Sequence, residues 1–159
     1  MVCGFTGHRR LPWGGDETDP RCAALKTVLG RRIAEAAAAG CGTFLCGMAR
    51  GADTYFAEAV LALRNGGLDL RLEALVPCPS QAGGWPAADR DRWTRLLAAC
   101  DAVTVLEPAY TPGCMLRRNR VLVDRSDVLI TVYDGSGGGT ASTVAYARRR
   151  GRPLLPVWL

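Results

Sequence analysis

Residues 128–140 read Val-Leu-Ile-Thr-Val-Tyr-Asp-Gly-Ser-Gly-Gly-Gly-Thr, and this stretch decides the fold class. Val128–Tyr133 is apolar at nearly every position, the pattern of a strand buried on both faces of a parallel sheet. Gly135, Gly137, Gly138 and Gly139 then make a turn in which the backbone can approach a ligand closely. Thr140 opens a helical stretch running to Arg150, with Val144 and Ala147 in its apolar stripe. Strand, glycine turn and helix together form one β-α unit.

The same alternation extends towards both ends. Val2–Thr6 is a short apolar run. Asp19-Pro20 reads as a helix N-cap and first helical position, and Leu25, Val28, Leu29, Ile33 and Ala36 follow at helical spacing up to Gly40. Thr43–Cys46 is a second strand. Phe56, Ala59, Val60 and Leu63 mark a helix that stops at Asn65-Gly66-Gly67. Leu70–Val76 and Val103–Leu106 are further strands, separated by the stripe Trp93, Leu96, Leu97 and Cys100. Pro112–Arg125 reads as a helix with Met115, Leu116, Leu122 and Val123 inward. Pro153–Leu159 is an edge strand, because its two prolines cannot donate to a ladder. Pro77–Ala87, rich in Pro and Gly, reads as a mobile flap. Repeated β-α units with short connections predict an α/β, Rossmann-like three-layer fold: a mainly parallel sheet of about six strands with helices on both faces.

The chain has 159 residues, the size of one domain, and residues 1–159 are taken as a single unit. Its 48% hydrophobic and 22% charged content is globular and not disordered. No apolar run is long enough for a transmembrane helix. Met1 to Arg10 lacks the apolar core of a signal peptide, so a cytoplasmic location is expected. The seven cysteines are scattered without a C-x-x-C, and His8 is the lone histidine, so neither a disulfide framework nor a metal site is expected. The net charge of +5 permits anionic ligands without demanding nucleic acid, and Lys26 is the only lysine among 20 basic residues.

In an open parallel sheet, ligands bind beyond the carboxyl ends of the strands. Three glycine-bearing turns fall there: Thr6-Gly7-His8-Arg9, Gly47-Met48-Ala49-Arg50-Gly51-Ala52-Asp53, and Asp134 to Thr140. Gly137, Gly138, Gly139 and Thr140 suit a phosphate, since N–H groups at a helix N-terminus favour anions. Asp134 either binds a ribose hydroxyl or caps the turn. Gly47 and Met48 are candidates to face a nucleotide, with Arg50 on its phosphates or on the surface, and Asp53 reads as the cap of the next helix. His8 is a candidate acid/base and Arg9 a phosphate ligand. Among Arg117, Arg118 and Arg120, one can point back into the site. There is no Walker motif, no G-x-G-x-x-G after the first strand and no G-x-S-x-G elbow, which argues against those nucleotide-hydrolysing, dehydrogenase and serine-hydrolase classes.

Taken together, these motifs resemble the SLOG superfamily, related to DprA/Smf and Lonely Guy proteins, and within it the YpsA-type branch of small bacterial proteins. The matching residues are Gly4-Phe5-Thr6-Gly7-His8-Arg9, Cys46 to Asp53, and Pro77-Cys78 with Gln81 and Trp85. They continue with Arg118-Asn119-Arg120, Val123 to Asp127, Val132 to Gly135, Gly138-Gly139-Thr140, Thr143 and Tyr146-Ala147. The resemblance implies a Rossmann-like fold binding a nucleotide or nucleotide-derived ligand. It also places Arg118 at the catalytic Arg of the Lonely Guy phosphoribohydrolases, Asn119 at their Lys, and Thr143 where they carry a catalytic Glu. A hydroxyl cannot replace a carboxylate at an oxocarbenium-like centre.

Three functions follow as expectations. The first is a nucleotide-binding protein, such as a small-nucleotide sensor, using Thr6, Gly7, Gly47, Met48, Arg50, Arg118, Gly137–Thr140 and Thr143. The second is an N-glycosidase on a nucleotide or an ADP-ribose-like substrate, with Asp134 or Asp124 as carboxylate, His8 as acid and Arg118 assisting. The third is a DNA-binding protein by analogy with DprA, although no aromatic platform interleaved with Arg is evident. A homo-oligomer is compatible with the sequence, with Trp158 as a contact, and no membrane partner is expected.

Overall fold

The computed structural model describes residues 1–159. Six strands and five helices alternate: β1 (Val2–Gly7), α1 (Pro20–Ala38), β2 (Thr43–Cys46), α2 (Ala52–Asn65), β3 (Arg71–Val76), α3 (Ala87–Ala99), β4 (Ala102–Val105), α4 (Cys114–Arg125), β5 (Val128–Tyr133), α5 (Gly139–Arg149) and β6 (Leu154–Trp158). The strands form one sheet in the order β4-β3-β2-β1-β5-β6, and every pairing is parallel. The expected three-layer α/β architecture is therefore the observed one. The chain steps outward from β1 to β4, then returns beside β1 with β5. This reversal between β1 and β5 opens a crevice at the carboxyl ends of the strands.

Alternation of side chains along each strand builds two cores. On one face Cys3, Phe5, Phe44, Ile130 and Val132 pack with Leu29 and Ile33 of α1 and Phe56 and Val60 of α2. On the other, Leu45, Leu75 and Leu129 meet Leu122 and Val123 of α4 and Ala147 of α5. Each fully buried aliphatic or aromatic side chain contributes about 1.5–3 kcal/mol relative to exposure. Asp19 caps α1 as expected, accepting from the Arg21 N–H at 2.9 Å, with Pro20 at the first helical position. Gly4 lets α4 lie against β1: a Cβ there would stand 2.2 Å from Ser126 Oγ.

Several expectations are corrected. Helix α4 begins at Cys114 and not at Pro112, because Gly113 adopts a left-handed φ of 80°. Its buried stripe is Cys114, Arg118 and Leu122, so Leu116 falls on the outer face and is 39% exposed, and Met115 is only half-buried. In α3 only Leu96 is buried. β4 is an edge strand, with Val103 and Val105 exposed. Pro77–Ala87 is a packed turn and not a free flap. Gln81 is buried there, donating to the Gly47 carbonyl at 3.0 Å and accepting from Trp93 Nε1 at 3.1 Å. The prolines of the last strand read correctly, for β6 lies at the other edge. Six of the seven cysteines are buried, all seven are free thiols, and no helix is long and apolar enough to cross a membrane.

Candidate functional site

A cavity of about 410 Å³ occupies the crevice at the β1/β5 reversal. Its walls come from three places. The end of β1 and the turn after it supply Thr6, Gly7, His8, Arg9 and Arg10. The β5–α5 turn supplies Gly137, Gly138, Gly139 and Thr140. The floor carries Asp53 of α2 and Arg118 and Asn119 of α4. This volume lies in the range of small-molecule sites.

The local reasons for this placement differ. Gly7 is required by packing, since a Cβ would come within 2.7 Å of Ala52 Cβ. Gly138 has φ 130° and ψ −163°, a conformation essentially restricted to glycine, and a Cβ there would meet nothing within 4 Å. The turn therefore presents open backbone to the cavity just before α5, where unsatisfied N–H groups and the helix dipole attract an anion.

Arg118 is 2% exposed. Its Nη1 donates to the carbonyl oxygens of Gly47 and Leu75, and its Nε donates to Asn119 Oδ1 at 2.8 Å. Burial pushes this guanidinium below its ordinary pKa, opposed chiefly by Asp53. Asp53 is 5% exposed and does not cap α2, whose N-cap is Gly51. Its Oδ2 turns back to accept from the Ala49 N–H at 2.9 Å. Burial pushes the Asp53 carboxyl up, while Arg118, the Ala49 N–H and Arg9 hold it down. Sequence reading set Asp53 as a cap at least level with any ligand role, because nothing local distinguishes a capping Asp from one facing a cleft.

Other candidate residues are not brought to this cavity. Arg50 forms an ion pair with Asp89 at 2.7 Å beside a larger neighbouring cavity of about 640 Å³. Met48 is buried at φ 57°, and Gly47 points its carbonyl at Arg118 and Gln81. The Thr143 hydroxyl donates to the Gly139 carbonyl at 2.8 Å, within its own helix. Asp134 accepts from Ser136 N–H at 2.8 Å and from its hydroxyl, and lies 2.8 Å from His8 Nε2. The bonds to Ser136, with help from His8, hold the Asp134 carboxyl at a pKa of about 2. Asp124 accepts from Tyr146 Oη and Arg150 Nε on the outer side of α4 and α5. Neither carboxylate of the glycosidase expectation lines the cavity. The one acidic residue that does is Asp53.

The YpsA family model, which describes the YspA SLOG family, matches residues 3–150. The chain belongs to that family. Among similar proteins, a UPF0398 protein of Bacillus anthracis (strain A0248) is 24% identical over 152 residues, covering 94% of this chain and 83% of the relative. A UPF0398 protein of Bacillus cereus (strain AH187) is similar to the same extent. Among solved structures, DNA processing protein A from Helicobacter pylori, a protein with a single-stranded DNA binding mode, superposes with a TM-score of 0.65 at 21% identity. DNA processing protein A from Streptococcus pneumoniae superposes with a TM-score of 0.63 at 17% identity. Both alignments cover 98% of this chain, which spans 64% of the first protein and 49% of the second. At these identities the likeness is one of fold.

Proposed function

We propose that this SLOG-family chain binds a nucleotide or nucleotide-derived ligand in the β1/β5 crevice, with its phosphate at Gly137–Thr140. One observation carries the reading: the glycine turn that opens α5 faces Arg9, Arg10 and His8 across a single cavity. Open N–H groups and a helix N-terminus border a cavity that Arg9 and Arg10 also line. The neighbouring larger cavity shares Arg9, Arg10 and Ala49 with it and is walled partly by Trp85 and Tyr55. Tyr55 is buried under Lys26 and Arg92, so the half-buried Trp85 is the aromatic surface offered to the base of the ligand beyond the phosphate. Without Asp134 or Asp124 in the cavity, binding is favoured over glycosidic cleavage by either of them.

A thermal-shift panel of AMP, ADP, ATP, NAD, ADP-ribose, GMP and cyclic dinucleotides, with each mixture analysed for released base, tests this directly. A ligand that binds only the native state raises Tm with its concentration. The expected result is a shift without released base. A single-stranded DNA oligonucleotide belongs in the panel, because the phosphates of a nucleic acid present the same chemistry. Salt-sensitive DNA binding with no response to any nucleotide would replace the small-ligand reading, and no response to any phosphate compound would overturn it.

A further inference from the structure

The rim of the crevice continues into an aromatic row. His8, Tyr133 and Trp158 stand side by side on adjacent strands. Gly7 is opposite Val132 in the β1–β5 ladder, which sets His8 beside Tyr133, and Tyr133 is opposite Trp158 in the β5–β6 ladder. The ring centroids are 5.7 Å apart from His8 to Tyr133 and 6.0 Å apart from Tyr133 to Trp158, with tilts of 39° and 36°. Side chains alternate along a strand, so Tyr133 shares its face with Leu129, which packs against α4 and α5. Helix α5 lies over β1 and β5, and this leaves Trp158 on β6 uncovered and 64% exposed. Asp134 fixes the inner end of the row by its contact with His8 Nε2 at 2.8 Å, and it also begins the glycine turn. His8 lines the crevice, whereas Tyr133 and Trp158 line neither cavity.

Resting on the reading that a phosphate lies at Gly137–Thr140, we propose that the exposed face of Trp158, backed by Tyr133, is a stacking subsite for a nucleobase. The ligand then carries a second base on the outer flank of the glycine turn. Size decides for a base against a protein surface. A Trp side chain offers at most about 250 Å², whereas a stable protein partner needs about 800 Å² on each side. One indole matches one planar ring. Position decides for a base against other planar rings. Strand β5, which ends in the turn, and β6 lie about 4.8 Å apart, so Trp158 is within the reach of one nucleotide unit from a phosphate on the turn. The two bases straddle that phosphate, the first towards Trp85 and the second on Trp158. A dinucleotide and a single strand share this chemistry; a mononucleotide lacks it.

Isothermal titration of the full chain with the dinucleotide pApA, and with its two analogues in which one or the other residue is abasic, tests this. Each missing base is expected to cost about 5- to 150-fold in affinity, the scale of base–aromatic stacking. In Trp158→Ala one of the two penalties should disappear while the other persists, and Trp158→Phe should keep part of both. Trp158 is exposed, so its replacement breaks no core packing, and circular dichroism checks the fold. Titration with oligo(dA) separates the sources: affinity equal to that of pApA marks a dinucleotide as sufficient, and tighter binding that Trp158→Ala weakens marks a strand. Binding of pApA with no penalty in the unaltered chain, or with both penalties unchanged in Trp158→Ala, overturns the aromatic subsite and leaves the phosphate reading standing. Failure of pApA where a mononucleotide binds does the same. A dimer that Trp158→Ala converts to a monomer in sedimentation velocity, with both penalties unchanged, assigns the ring to a protein contact instead. Failure of pApA and both analogues, together with a silent nucleotide panel, overturns both readings.

Discussion

Gly47 and Arg118 are 71 residues apart in sequence, yet the Arg118 guanidinium carbon lies 2.7 Å from where a Cβ on Gly47 would stand. The glycine at the end of β2 is thus the seat of a buried arginine from α4, and its carbonyl is one of that arginine's acceptors. Gly47→Ala should force the guanidinium aside. The expected cost is about 1–3 kcal/mol, typical of overpacking a filled interior, read by urea denaturation. An unchanged midpoint would show that the arginine has room to move.

Arg118→Met should be destabilising by about 1–3 kcal/mol, because it takes a donor from the carbonyls of Gly47 and Leu75 and leaves the first to Gln81 alone. It also removes the cation that opposes the burial of Asp53. The Asp53 carboxyl then rises further above its unfolded pKa. A carboxyl raised in the folded state binds a proton preferentially there, so its contribution is present at low pH and lost as pH rises through the folded pKa. The stability deficit of Arg118→Met should therefore grow from mildly acidic towards neutral pH. A deficit independent of pH would separate the two groups energetically.

The acid limb of stability should run the opposite way. Glu17 is held at about 2, mainly by its bond with Arg92 and then by Lys26, against an ordinary value of 4.5. Asp134 is held at about 2 by Ser136 and His8. Carboxylates depressed in the folded state stabilise it above their unfolded pKa, and that contribution disappears as pH falls from about 4.5 through about 2. Tm should fall across this window, and Glu17→Gln should flatten the fall. An equally steep limb in the variant would assign the acid sensitivity to other carboxylates.

Gly138→Asp should abolish phosphate-dependent thermal shifts while the chain stays folded. A side chain at this position meets open space, so no packing is broken, although φ 130° costs about 1–3 kcal/mol for a non-glycine residue. The added carboxylate stands at the turn proposed to hold the phosphate and repels it. Circular dichroism checks the fold and the nucleotide panel checks binding; undiminished shifts would remove the phosphate from this turn.

Gln81→Ala should loosen the segment between β3 and α3. The side chain links the Gly47 carbonyl to Trp93 Nε1, and its loss leaves the indole N–H without a partner and the Gly47 carbonyl with Arg118 alone. Amide hydrogen exchange across residues 78–86 should rise, with a global cost of about 1–3 kcal/mol. Exchange unchanged in that window would show that the turn is held by its own backbone bonds.

The sequence made the alternation of elements legible, and with it the parallel sheet and the edge position of β6. Val128–Tyr133 and Thr43–Cys46 occupy the spans their apolar runs predict. The cap at Asp19-Pro20 was equally plain, because capping is chemistry between near neighbours. The glycine turns after β1 and β5 were legible as neighbours at one edge of the sheet, and the tertiary structure brings Thr6–Arg9 and Gly137–Thr140 to one cavity. What remained hidden was each polar residue's direction. Arg118 occupies a stripe position that an apolar residue normally fills, while Leu116 faces outward, and no local pattern distinguishes that arrangement.

By itself, then, the sequence determined the class of fold, the order of its units and the edge of the sheet where chemistry belongs, since these follow from periodicity, glycine placement and caps within a few residues. Only the tertiary structure decided that Asp53 and Arg118 share the floor of the crevice, that Arg50 turns to Asp89, and that Asp134 and Thr143 spend their polar atoms elsewhere. Those outcomes depend on partners contributed by distant segments across the sheet. A charged side chain is buried where such partners can satisfy it, and that condition is met only once the chain has folded.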